Sequence, residues 1–163
     1  MRWESGYLLH IHIAPMASAN MVELDEAELV AGKGIVNDRY YKQNGSYSKI
    51  PDIRDVTLIE NEVLEALASN QPPLQEKPII LKPVEHRRNL TTSGVPLNYL
   101  VGKKFQIGEV ILKGGRLNFP CKYLADLLQK PLVLPLYNRS GLNCSVERGG
   151  IINKGDKIIQ VED

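Results

Sequence analysis

The sequence predicts a mainly β fold, a sheet curled on itself with short helices at its edges. Three observations lead there. Short strand-like runs punctuated by glycine and proline outnumber helical patterns along the chain. No internal repeat or low-complexity segment suggests an array. The 163 residues are 43% hydrophobic, enough for one core, and no linker rich in Pro, Gly or Ser divides them, so the chain reads as a single domain over 1–163.

The elements follow in order. From Leu9 to Ile13 apolar residues alternate with His10 and His12, the period of a half-buried strand. "MVELDEAELV" gives a weaker strand signal with Val22 and Leu24 on one face, and runs into the glycine-rich turn "GKGIVNDR". "DVTLIENEVLEALASNQPP" predicts a strand and then a helix with Val63, Leu64 and Leu67 inward, closed by two prolines. "RRNLTTSG", "KKFQIG" and "EVILKGGRL" are strand-sized pieces separated by Gly94, Gly102 and Gly108. "CSVERGGIINKGDKIIQVE" reads as two strands joined near Lys154, Gly155 and Asp156, with Ile151, Ile152, Ile158, Ile159 and Val161 supplying the buried face.

Charge and composition remove several functions. Twenty Lys plus Arg against nineteen Asp plus Glu leave no electrostatic footprint for nucleic acid. Two cysteines make no disulfide framework, and free thiols in a reducing compartment are the simpler reading. "YLLHIHIAPMASA" has the outline of a secretion leader, yet His10 and His12 interrupt it and Glu4 accompanies Arg2. No later stretch is long and apolar enough to span a bilayer, so a cytoplasmic protein without a membrane partner is expected.

The chemistry-bearing candidates begin with Cys121 in "RLNFPCKYLADLL". Pro120 suits a helix start, Leu124 and Leu128 share the helix face of Cys121, and Lys122 adds charge. In a first helical turn a thiolate is stabilised and becomes a nucleophile, sulfur carrier or soft-metal ligand, whereas burial alone would make the thiol structural. In "EHRRN" the pair Arg87 and Arg88, with Asn89, suits an anion such as phosphate, against the commoner solvated strand end. On an ordinary strand the two arginines would face opposite ways. In "GKGIVNDRYY", Gly32 and Gly34 permit close approach and Lys33, Asp38 and Arg39 supply charge, without matching a nucleotide-binding P-loop. "NRSGLNCSVERGG" adds Arg139 and Arg148. His10 and His12 lack a third metal ligand and read as solvent-facing. A nucleophile pair of Cys121 with His86 is conceivable, and Cys144 reads as a buried strand residue.

Taken together, "GKGIVNDRYY", "RRNLTTSGVPLNYLVGKKFQIGEVIL", "FPCKYL" and "RSGLNCSVERGGIINKGDKI" resemble the MOSC domain, named after the C-terminal domain of molybdenum cofactor sulfurases. The resemblance spans Met21 to Val161 and implies a strongly curled β-barrel with a few short peripheral helices. It also implies a pocket lined by basic residues and one cysteine, Cys121. In sulfurases a separate pyridoxal-phosphate domain supplies sulfur that passes to the molybdenum cofactor. Related members bind that cofactor and reduce N-hydroxylated compounds, with the cysteine as molybdenum ligand. By this resemblance Cys121 carries sulfur as a persulfide or ligates molybdenum, and Arg39, Arg87 and Arg88 hold the phosphate of molybdopterin. Asn89 orients the pterin or braces the strand, and Lys33, Asp38 and Arg148 are further candidates to bind the cofactor. A non-catalytic module with Cys121 inert in the core is the third reading. The family commonly has histidine where this chain has Tyr40. The chain shows neither a pyridoxal-phosphate domain nor a ferredoxin-like cysteine set, so a cysteine desulfurase or an electron donor is expected in trans.

Overall fold

The computed structural model describes residues 3–162; Arg2, invoked above against a leader, lies outside them. Eleven strands and three short helices are found among these residues. The chain begins with β1 (Gly6–Ile13), β2 (Val22–Leu24), β3 (Glu26–Val30) and β4 (Gly34–Ile35), and turns through α1 (Arg39–Lys42). After a long segment come β5 (Val56–Glu60), α2 (Asn61–Ala68) and β6 (Leu90–Ser93). Then follow β7 (Lys104–Ile107), β8 (Val110–Leu117), α3 (Lys122–Leu128), β9 (Leu142–Arg148), β10 (Gly150–Asn153) and β11 (Lys157–Gln160).

Hydrogen bonding orders the main sheet β11-β7-β8-β9-β5-β6-β1-β2, and β1 also pairs with β11. That last pairing closes seven strands into a barrel and leaves β2 on the outside of β1. Closure removes the open edges that a sheet would otherwise expose. Only β5 and β6 run parallel, joined through α2, while the other neighbours are antiparallel. A second sheet, β10-β3-β4, flanks the barrel.

The inside of the barrel is filled by Leu8, Ile11, Leu58, Leu90, Phe105, Ile107, Leu112 and Ile158, all fully buried. A second apolar cluster lies outside it, where Ile59 of β5 meets Val63, Leu64 and Leu67 of α2, Leu124 of α3, and Leu132 and Leu136. Strand β5 is therefore covered on both faces, which explains its near-continuous apolar run. The predicted inward residues of α2 are the buried ones.

Two expectations need correction. "MVELDEAELV" forms two strands, and Val22 is exposed. The closing segment forms three strands, and β10 and β11 pair with β3, β7 and β1 instead of with each other. Side chains alternate along each strand, so Ile152 and Ile158 are buried while Ile151 and Ile159 are exposed.

Asn89 locks three strands together. Its Oδ1 accepts from the Thr57 amide at 3.1 Å and from Thr57 Oγ1 at 3.2 Å, and its Nδ2 donates to the His12 carbonyl at 3.1 Å. Every polar atom of the side chain thus braces β1, β5 and the start of β6. Of its two expected roles, bracing is the one these contacts describe. No helix among the described residues is long and apolar enough to cross a membrane.

Asn89→Ala strands the Thr57 amide in the interior, and we expect a loss of about 3 kcal/mol in urea unfolding; an unchanged midpoint would contradict the bracing role. At the end of β5, burial and neighbouring Glu62 push the Glu60 carboxyl up from 4.5 to about 7. The folded chain then keeps a proton that the unfolded chain has released, so this stabilisation is full below the unfolded value and is lost as pH rises through the folded one. Glu60→Gln should flatten the decline in urea midpoint between about pH 5 and about pH 8.

Candidate functional site

Cys121 is set in place by the short helix that follows it. Leu124 anchors α3 in the outer apolar cluster, and Leu128 packs against the same cluster. Cys121 stands just before the helix with extended backbone, φ −124° and ψ 127°, and its side chain makes no capping bond. The thiol is half-buried and opens onto a cavity of about 520 Å³. Cys121 therefore does not sit in the core. Lys122, expected to add charge beside the thiol, instead reaches Asp126 at 2.8 Å on the exposed helix face.

The inner wall of the cavity is formed by Arg39, Arg87 and Arg88. Arg39 begins α1, whose capping residue Asp38 is fully buried and receives Arg39 Nη1 at 3.0 Å. Arg39 also donates through Nη2 to the Arg87 carbonyl at 2.8 Å and lies over the Tyr40 ring at 4.3 Å. Arg88 is held by neutral acceptors alone: Nε to the Ser140 carbonyl at 3.0 Å, Nη1 to the His86 carbonyl at 2.8 Å, and Nη2 to Asn118 Oδ1 at 2.9 Å. Asn118 in turn donates to Asn143 Oδ1 at 2.8 Å. Arg87 reaches the Ala19 carbonyl at 2.8 Å.

Both adjacent arginines line the cavity because they precede β6, and Arg87 turns the chain at φ +63°. Strand alternation does not govern them. No carboxylate among the described residues pairs with Arg87 or Arg88. Burial lowers the Arg88 guanidinium to about 10 and also lowers Arg87, which has Arg39 as a like-charged neighbour. Three guanidinium groups with one buried carboxylate among them leave a positive field facing the cavity.

The outer wall comes from the segment 43–55 between α1 and β5 and from the end of β8. Tyr47 Oη lies 3.6 Å from Cys121 Sγ, and the thiol beside it raises the Tyr47 phenol. Arg54 bonds the Tyr47 carbonyl. Asp52 takes Arg116 Nε and Nη2 together with Arg54 Nη2, and Arg116 foremost holds its carboxyl well below the usual range. Arg116 reaches this wall because the β8–β9 register shifts between Gly114 and Arg116. A side chain at Gly114 would meet the Leu100 carbonyl at 2.0 Å, so the bulge depends on glycine there. Tyr123 completes this side and bonds Ser18.

The remaining candidates lie elsewhere. Lys33 is exposed and sits over the Tyr41 ring at 5.5 Å, and Arg148 donates to the Glu109 carbonyl at 3.0 Å on the surface of β9. Asp38 and Asn89 lie behind the wall, orienting Arg39 and bracing strands. Arg139 closes a loop through the Pro135 and Gln71 carbonyls. Cys144 is buried in the barrel, where desolvation pushes its thiol up strongly, and it does not line the cavity.

His10 bonds Glu23, while His12 is buried, which corrects the solvent-facing reading. His86 is not a partner of Cys121. Its Nδ1 accepts from the Arg88 amide at 2.9 Å, so its Nε2 donates to Thr91 Oγ1 at 2.8 Å. Burial and the Arg88 charge hold its pKa well below 6.5. Sequence reasoning missed Tyr47, Asp52, Arg54, Arg116 and Asn118 as site residues. The adjacent glycines Gly114 and Gly115 were the available signal for Arg116.

The fold has close relatives in known structures. The chain is similar to the YuaD protein of Bacillus subtilis, at 23% identity and a TM-score of 0.77, with 96% of each chain covered. It is similar to YiiM of Geobacillus stearothermophilus at 13% identity and a TM-score of 0.71, covering 96% of this chain and 75% of that one. YiiM of Escherichia coli aligns at 19% identity and a TM-score of 0.65, over 100% and 71% of the two chains. No curated protein matches the chain. The pattern of the MOSC domain matches residues 48–159, which include Asp52, Arg54, Arg87, Arg88, Arg116 and Cys121. The chain belongs to the MOSC domain family, and this family points to a role connected with the molybdenum cofactor.

Proposed function

We propose that the chain is a sulfur carrier of the molybdenum cofactor system, with Cys121 as the carrying thiol. The observation behind this reading is one cavity lined both by a half-buried thiol and by two guanidinium groups that, among the described residues, lack carboxylate partners. Burying Arg87 and Arg88 without counter-ions is unfavourable, and an anion in the cavity relieves that cost. The residues fit a pterin phosphate in chemistry: Arg39, Arg87 and Arg88 would hold the anion, and Cys121 offers a soft ligand. When bound, that cofactor would supply the acceptor for the sulfur.

The loading step belongs to Cys121 and a donor. The Cys121 thiolate attacks the outer sulfur of a persulfide on a partner protein such as a desulfurase. The donor S–S bond breaks, an S–S bond forms on Cys121, and the donor leaves as a thiolate without net oxidation. The Tyr47 hydroxyl is placed to donate a hydrogen bond to the anionic sulfur.

Cys121→Ser should abolish cyanide-labile sulfur after incubation with a persulfide donor, while the unfolding midpoint stays near wild type. Labile sulfur loaded at the wild-type rate would remove Cys121 from the role. Molybdenum copurifying in equal amount with the protein, and lost in Cys121→Ser, would instead assign the thiol to metal ligation in a reductase. Arg87→Met keeps the length of the side chain and removes its charge. It should weaken phosphate binding by tenfold or more, about 1.4 kcal/mol, in calorimetric titration.

A further inference from the structure

The outer wall of the cavity holds a second pair of arginines, and both converge on one carboxylate. Arg116 Nε lies 2.9 and 2.8 Å from the two oxygens of Asp52, its Nη2 joins them, and Arg54 Nη2 lies 3.0 Å away. Two guanidinium forks around one anion form the arrangement that binds a carboxylate or phosphate ligand.

Each arginine has contacts besides Asp52 that help to place it. Arg116 donates through Nη1 to the Leu117 carbonyl at 3.0 Å and lies over the Phe119 ring at 5.0 Å. Arg54 bonds the Tyr47 carbonyl and lies over the Tyr47 ring at 5.9 Å. The pair is therefore a built site. Among the described residues that line the cavity, Asp52 is the sole carboxylate, against five arginines. Its side chain keeps 20% exposure, that of Arg116 34% and that of Arg54 13%, whereas Arg39 keeps 5%. The two clusters thus differ in depth, and Asp52 sits at the open one. Water competes for such a partly exposed pair, so exchanging its carboxylate for another anion costs the fold little.

We propose that Arg54 and Arg116 are a second anion subsite at the mouth of the cavity, which Asp52 fills. A ligand with two separated anionic groups places one on Arg39, Arg87 and Arg88 and displaces Asp52 with the other. Its class is a small molecule bearing two phosphates, or a phosphate and a carboxylate. The proposal rests on the inner cluster being an anion site, as argued above.

Calorimetric titration of inorganic phosphate into wild type and Asp52→Asn tests it, with circular dichroism to check folding. Wild type should bind one phosphate and Asp52→Asn two, the added site being at least tenfold tighter than any second site in wild type. Arg116→Gln introduced into Asp52→Asn should remove the added site and spare the first. If Asp52→Asn does not fold, Asp52→Ser removes the same charge with a smaller side chain. One phosphate bound with wild-type affinity by the folded variant overturns the subsite. Loss of phosphate binding in the folded variant also overturns it, and makes Asp52 a latch for the segment 43–55. No phosphate on wild type but one on Asp52→Asn, removed by Arg116→Gln, supports the subsite and sinks the inner-site reading. No binding by either protein overturns both.

Discussion

Arg88 carries its positive charge to a position only 6% exposed, with no carboxylate paired to it among the described residues, and much of the site is arranged around that constraint. Its donors end on two carbonyls and an amide oxygen, all neutral. Neutral acceptors satisfy hydrogen bonds without cancelling charge, so the field of the guanidinium passes into the cavity. His86, kept neutral by burial first and by the same charge second, gives Arg88 its backbone partner. The Asn118–Asn143 bond carries the network into β9 and ties the cavity floor to the barrel.

The barrel supplies what such a network needs, namely backbone that does not yield. Asn89 couples β1, β5 and β6 one residue after Arg88, and closure between β1 and β11 leaves the ring without an edge from which to open. The features that make the site lie where the ladder is interrupted: the register shift at Gly114, the left-handed turn at Arg87, and the seven-residue helix after Cys121. Rigid strands and local irregularities divide the work between holding and aiming.

Much of this was legible in the residues. Glycine spacing and short apolar runs gave the strands β6, β7 and β8, and Val63, Leu64 and Leu67 marked the buried face of α2, because burial on one face imposes a period on sequence. Cys121, Arg39, Arg87 and Arg88 were found through charge type and motif. Tyr47, Asp52, Arg54 and Arg116 were not, since they lie on an irregular segment and a bulge, where no period signals which way a side chain points. Asp38 was read as a ligand group and Asn89 as either a ligand group or a strand brace, although the polarity of both serves the fold. A buried polar residue that satisfies backbone looks the same in sequence as one that meets a ligand.

The central claim is that the arginine cluster and Cys121 face one anion site. The rate at which iodoacetamide alkylates Cys121, followed by mass spectrometry while inorganic phosphate is raised at constant ionic strength, tests it most directly. A saturable change in rate is expected in wild type and should disappear in Arg87→Met. A rate independent of phosphate, in a protein shown by calorimetry to bind it, would place the anion away from the thiol and contradict the account.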